Sequence, residues 1–314
     1  MEVQVAATRE VKSCNNRHQS TMPTLTIDSI AERARRIVEI LAGEFPSRHG
    51  SNPTVLDAAA VFIQQEFASL GYEVQSQWYK SDGGRVRNLI VEKRGQFPER
   101  ASIIVGAHYD TVVGTPGADD NASGIAGLIE LSRLLKDYTN KRTIRFVAFP
   151  HEEPPYFYTH DMGSRQYARS LKENGESIFA MLTLEMIGYA GEGFKQLFPA
   201  PLLRILGRYP KDGNFVALVS NLKSSRLLST VRKAMRQRRT AGVESLAAPG
   251  FIPPLFLSDH SSFWKFGFPA LMITDTAFLR NPHYHSPTDT ADTLNYRFLA
   301  EVIDAVYAAV ITLD

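Results

Sequence analysis

Two adjacent glutamates, Glu152 and Glu153, follow an apolar run in TIRFVAFPHEEPP and are closed off by a pair of prolines. The pattern recurs along the chain. SIIVGAHYD delivers His108 and Asp110 just past a run of apolar residues, and FAMLTLE ends on Glu185. Asp119 and Asp120 precede a helix that starts near Ser123, and His285 lies in NPHYHSPTDT, shortly after ALMITD. Ligands of open α/β sheets bind in the crevice beyond the carboxyl ends of the strands, so these residues stand where chemistry is expected. Collecting so many carboxylates in one place is costly without cations, because like charges a few ångströms apart repel strongly at reduced dielectric. Imidazole and carboxylate ligands without thiolates suit zinc or another first-row divalent ion. A carboxylate bridging two ions about 3.5 to 4 Å apart is a standard hydrolytic arrangement.

The elements that must position these groups are legible as periodicity. Short β-branched or apolar runs at 88–92, 102–108, 143–149, 179–185, 215–220 and 270–275 are mostly apolar on successive residues, as expected of strands covered on both faces. A further strand is expected around YEVQSQWY. Helical spacing runs through Ile30, Ala34, Ile37, Val38 and Leu41, with Asp28 or Ser29 as the N-cap, and again through Ala59, Phe62, Ile63, Phe67 and Leu70, stopped by Gly71. SGIAGLIELSRLLKD and the closing YRFLAEVIDAVYAAVITL read as two more helices. Alternating strands and helices imply an α/β sandwich with a largely parallel or mixed sheet. Residues 190–258 read as an excursion from that sheet, an insertion or lid; its basic run VRKAMRQRR is expected to be a solvated helix face.

Composition removes several classes of function. Of 314 residues, 44% are hydrophobic and 22% charged, which supports a sizeable core, and the formal net charge of +2 gives no reason to propose nucleic acid or an acidic membrane as a partner. Cys14 is the only cysteine, so there is no internal disulfide and no thiolate cage for a metal. No secretory signal and no apolar run of membrane-spanning length is present, and a cytoplasmic protein is expected. Residues 1–24 read as a polar, disordered leader, or as sequence upstream of a start at Met22, before a single domain over 25–314. No Gly-x-Ser-x-Gly elbow and no Gly-x-Gly-x-x-Gly fingerprint supports a serine nucleophile or a dinucleotide.

Taken singly, each acidic or imidazole motif has an ordinary reading: HYD as a surface pair, GADDNASG as a turn capping a helix, HEE as a solvated loop. Taken in register, GAHYDT, PGADDNASG, PHEEPP, LTLEMIG, SDHSSFW and HYHSPTDT resemble the co-catalytic zinc aminopeptidases of peptidase family M28, over roughly residues 30 to 310. That resemblance implies a three-layer α/β/α sandwich with a mixed, largely parallel sheet. It implies two divalent metal ions, zinc above all, with His108 and Glu185 on one, Glu153 and His285 on the other, and Asp120 bridging. Glu152 looks like the general base, and Asp110 looks like the carboxylate that orients His108 through its other ring nitrogen. The family usually has Asp where this chain has Glu185, which puts metal occupancy or preference at the first site in question. His285 is preferred over His283 because it directly precedes SPTDT. Asp259 falls near the site by the same analogy. His18, His49, His151, His160 and His260 match no ligand position and are read as structural or surface residues.

The expected activity is removal of N-terminal residues from peptides by a metal-dependent exopeptidase. Three rivals stand beside it: a single-zinc acyltransferase resembling the glutaminyl cyclases, a carboxypeptidase on the same fold, and a binding module without catalysis. Retention of five metal-competent ligands weighs against the last. Oligomeric state is not encoded in these motifs.

Overall fold

Residues 26–82, 84–197, 210, 212–238, 241–250, 252 and 255–314 are described by the structure, a computed structural model; the leader expected at 1–24 lies outside them. The strands are β1 (Val74–Ser81), β2 (Gly84–Lys93), β3 (Ser102–His108), β4 (Ile144–Phe149), β5 (Ile178–Glu185), β6 (Phe215–Asn221), β7 (Gly242–Ala248) and β8 (Ala270–Thr274). They form one mixed sheet in the order β1-β2-β4-β3-β5-β8-β6-β7. β4, β3, β5 and β8 run parallel to their neighbours in the centre, β1 and β2 are antiparallel at one side, and β6 pairs antiparallel with β8 and parallel with β7 at the other.

The unbroken apolar runs follow from burial on both faces. In β3, Ile103, Val105 and Ala107 enter one core while Ile104 enters another with Phe149, Tyr167 and Phe263. Gly106 lies in the same strand because a Cβ there would come 2.5 Å from Cε2 of Phe149, whose ring fills that space. Each fully buried Ile or Leu contributes about 1.5–3 kcal/mol over exposure, so a strand of this composition is held by both layers.

The helices are α1 (Ile27–Glu44), α2 (Pro53–Ser69), α3 (Gly124–Leu135), α4 (Gly163–Glu173), α5 (Ser225–Gln237), α6 (His260–Lys265) and α7 (Tyr296–Leu313). Helices α1, α2, α3, α5 and α7 share the larger core on one face, and α4 and α6 cover the other, which completes three layers. The N-cap of α1 is Thr26, not Asp28 or Ser29: its hydroxyl accepts the Ser29 N–H at 3.2 Å. Asp28 falls instead in the first helical turn, where a negative charge is favourable.

The stretch 190–258 is not a single excursion. It supplies β6, α5 and β7, which extend the sheet at one edge. β7 escapes detection in the sequence because GVESLAA is only half-buried and carries no apolar run. In α5, Leu227, Leu228, Val231 and Met235 turn inward, and Arg232, Lys233, Arg236 and Arg238 stay exposed, the solvated face expected of VRKAMRQRR. Residues 198–209 of the expected lid lie outside the described residues. No helix among the described residues is long and apolar enough to cross a membrane.

Candidate metal centre

Three parallel strands end in the residues that the motifs single out. His108 is the last residue of β3, Glu185 the last of β5, and Glu152 and Glu153 follow β4 after Pro150 and His151. Asp120 sits in a tight turn, 118–123, that leads into α3. Gly117 enters that turn at φ +63°, in a crowded place where a Cβ would meet Thr111 and the carbonyl of Asp120, so a larger residue would be both strained and blocked. Asn121 ties the turn to the end of β5: its Nδ2 donates to Leu184 O (2.9 Å), and its Oδ1 accepts from Met186 N (3.0 Å) and Gly124 N (3.1 Å).

These supports bring His108, Asp120 and Glu185 together, and Asp120, Glu153 and His285, with the ligand atoms of each triad within 4.8 Å of one another. Nε2 of His108 is 3.3 Å from Glu185 Oε2 and 3.4 Å from Asp120 Oδ1. Nε2 of His285 is 3.3 Å from Asp120 Oδ2 and 3.3 Å from Glu153 Oε2. Asp120 therefore presents one oxygen to each triad. Glu152 Oε2 lies 3.9 Å from His108 Nε2, beside the first triad but outside both. Asp110 stands behind the centre. Its Oδ1 is 3.4 Å from His108 Nδ1, and its two oxygens accept the backbone N–H groups of Glu152 (3.1 Å) and Glu153 (3.0 Å). One carboxylate thus orients the imidazole and fixes the loop that carries both glutamates.

The electrostatics show what this arrangement lacks. Burial pushes Glu152 well above the usual carboxylate range, against the pull of His108, and pushes Glu153 up to about 8 with help from Asp120. Burial works against the charge of His285, yet its bonds to Asp120 and Glu153 lift it to about 10. His108 is raised well above 6.5 in the same way, against burial, by Glu185 and Glu152. Asp120 is held well below its usual value, again against burial, by the two histidines. The donor set fits divalent ions: two imidazoles and three carboxylates converge, all buried except His285, and among the described residues Glu153 Oε1 has no hydrogen-bond partner.

Other partners come from residues outside the candidate set: Arg48 lies in no quoted motif, and Asp289 and Ser258 lie in HYHSPTDT and SDHSSFW without a role assigned to them. Arg48 is fully buried and donates to the carbonyls of Tyr109 (2.7 Å), Pro116 (2.6 Å) and Gly117 (2.7 Å), tying the end of β3 to the Asp120 turn. Asp289 accepts the N–H groups of Asp119 (2.9 Å) and Asp120 (3.1 Å), and burial raises its pKa to about 7. Ser258 donates to Glu185 Oε2 at 2.7 Å. Only the partner atoms, brought from distant parts of the chain, give these residues meaning. His283 turns away to Thr288 Oγ1 (2.8 Å), His160 is exposed, and His49 bonds Ser51 and the Pro154 carbonyl. His151 stacks on Tyr156 at 3.8 Å, and His260 bonds the Leu255 carbonyl at 2.7 Å. Asp259 is fully buried next to His260, and burial raises its carboxyl to about 7.

Beside Glu185 opens an apolar cavity of about 100 Å³, lined by Val219, Leu246, Leu255, Leu257 and Met272, with Tyr284 at its edge. Tyr284 stacks on His285 at 3.7 Å. A larger open groove of about 650 Å³ between α1 and the start of α7 contains none of the residues above.

The profile of peptidase family M28 matches residues 88–310. An uncharacterized protein of Escherichia coli (strain K12), YfbL, is 38% identical over 91% of this chain and 90% of its own length. A probable leucine aminopeptidase of Arthroderma otae is 23% identical over 91% of this chain and 73% of its own. Among solved structures, a zinc aminopeptidase from Bacillus subtilis is similar with a TM-score of 0.70 at 16% identity, covering 89% of this chain and 94% of that one. A glutaminyl cyclase of Fimbriiglobus ruber is similar with a TM-score of 0.66 at 18% identity, covering 90% and 95%.

Proposed function

The chain belongs to peptidase family M28, and from that premise we propose that it is a metal-dependent aminopeptidase whose centre takes two divalent ions, zinc above all. The observation that carries the reading is Asp120, whose two oxygens face separate triads. His108, Asp120 and Glu185 would hold one ion, and Asp120, Glu153 and His285 the other. Bound there, divalent ions supply Lewis-acid polarisation of the scissile carbonyl and acidify a water towards neutral pH.

The chain's own residues do the rest. Glu152 is buried and free of both triads, with a carboxyl that burial makes more basic. It takes the proton of the attacking water and passes it to the departing amine, a role that contributes roughly 10²- to 10⁴-fold. Asp110 acts through others: it aims His108 and fixes the backbone from which Glu152 projects. Tyr284, whose phenol burial keeps neutral far above ordinary pH, can donate a hydrogen bond into the site. The apolar cavity next to Glu185 supports an aliphatic first residue of the substrate.

Glu152→Gln tests the base. It is expected to keep its metal and lose turnover of aminoacyl amides by about 10²-fold or more; a variant that retains most of the activity overturns the assignment. Chelation should silence the enzyme and zinc should restore it. Cyclisation of N-terminal glutamine, the activity named for the cyclase structures of the same fold, is assayed on the same protein, and turnover confined to that substrate would replace the peptidase reading.

A further inference from the structure

Glu152 is proposed to protonate the departing amine, so the second residue of a peptide lies within reach of that carboxyl and next to the loop that follows Glu153. That loop is built to be stiff. Tyr156 N and Phe157 N both donate to the Glu153 carbonyl (3.0 and 3.3 Å), Tyr156 stacks on the buried His151, and Arg165 donates to the Tyr158 carbonyl. Beyond it Tyr158 is 47% exposed. The Arg165 guanidinium lies 4.9 Å from its centroid. The Phe256 ring faces it at 5.1 Å.

Phe256 belongs to a segment with two sides. Leu255 and Leu257, its neighbours, line the apolar cavity beside Glu185, and Ser258 bonds Glu185 itself. Phe256, between them in sequence, does not line that cavity and pairs instead with Tyr158. In an extended peptide consecutive side chains point to opposite sides. A first side chain in the cavity therefore sends the second one towards Tyr158 and Phe256.

We infer that Tyr158 and Phe256 form the binding wall for the second residue of the substrate and select an aromatic or large aliphatic side chain there. The inference rests on the aminopeptidase reading and adds a specificity that neither triad encodes. Aromatic pairs contribute energy beyond their buried area, and loss of one ring corresponds to about three- to tenfold in kcat/KM.

The experiment compares leucinamide, which has no second residue, with Leu-Phe-amide and Leu-Gly-amide. Wild type is expected to hydrolyse all three and to prefer Phe over Gly at the second position. Tyr158→Ala and Phe256→Ala should each cut the Phe-to-Gly ratio by about three- to tenfold, mainly through KM, while Tyr158→Phe keeps it. Equal kcat/KM for the Phe and Gly substrates in wild type, or an unchanged ratio in both alanine variants, overturns the inference while leaving the aminopeptidase reading intact. Failure of wild type to hydrolyse leucinamide and both peptides overturns the two together. Melting temperature and metal content of each variant separate loss of the wall from loss of the fold.

Discussion

The two triads share Asp120 but are built differently. In the first, His108 and Glu185 are strand-terminal residues whose side chains are 0% and 9% exposed, and each has its own support, Asp110 for the imidazole and Ser258 for the carboxylate. In the second, Glu153 comes from the loop after β4 and His285 from the loop after β8; the His285 side chain is 30% exposed at a backbone φ of +54°. Among the described residues no hydrogen bond reaches His285 Nδ1; its ring rests on Tyr284 instead. A ligand whose orientation is fixed by packing and hydrogen bonds holds an ion in better geometry than one on an open loop. If the proposed centre takes two ions, the comparison predicts tighter binding and slower exchange at the first triad and a more labile ion at the second.

The largest effect should come from the residue that the triads have in common. Asp120→Ala removes a ligand from both, and metal analysis is expected to show both ions lost or weakened, with activity down roughly 10³-fold or more, given that each metal supplies several kcal/mol. Retention of one tightly bound ion would mean that one triad stands without the bridge. Single-ligand variants separate the two. His285→Ala should leave one ion per chain, and His108→Ala should empty the deeper position, each weakening its own ion more than about 100-fold, beyond the usual cost of losing a supporting residue. Identical chelation rates for the ion that each variant retains would erase the difference.

Acidity offers a milder probe. Without metal, His285 carries its proton up to about pH 10 and Glu153 up to about pH 8. A bound ion needs the neutral imidazole and the ionised carboxylate, so binding must expel these protons. Apparent affinity is therefore expected to rise between pH 6 and pH 8, with proton release that declines above the Glu153 value; titration calorimetry in buffers of different ionisation enthalpy reads this directly. Affinity that is flat with pH contradicts the protonated resting state. The smallest effect belongs to Ser258→Ala, which leaves Glu185 in place but frees its Oε2. A loss of about tenfold in affinity at the first site is expected, and no loss would show that Glu185 is held by the strand alone.

Much of this candidate centre is legible in the sequence because its residues are local to strong signals. His108, Glu152, Glu153 and Glu185 each follow an apolar run, and such runs identify buried parallel strands whose ends collect at one edge. The glutamate at 185 keeps a carboxylate within reach of His108 despite its extra methylene. What stays hidden is whatever acts through space. Arg48 lies in an unremarkable SRHGSN, yet its guanidinium bonds the carbonyls of Tyr109 and Gly117, each more than sixty residues further along the chain. Asp289 lies in SPTDT with nothing in its type or spacing to show that it caps the Asp119–Asp120 backbone. β7 stays hidden for a different reason: an edge strand that is only half-buried needs no apolar run.

The central claim is two ions on one bridging carboxylate, and elemental analysis of the zinc-saturated protein tests it most directly. Two zinc ions per chain, one of them removed first by chelator, is the predicted result. A single ion at saturation, or none, contradicts it.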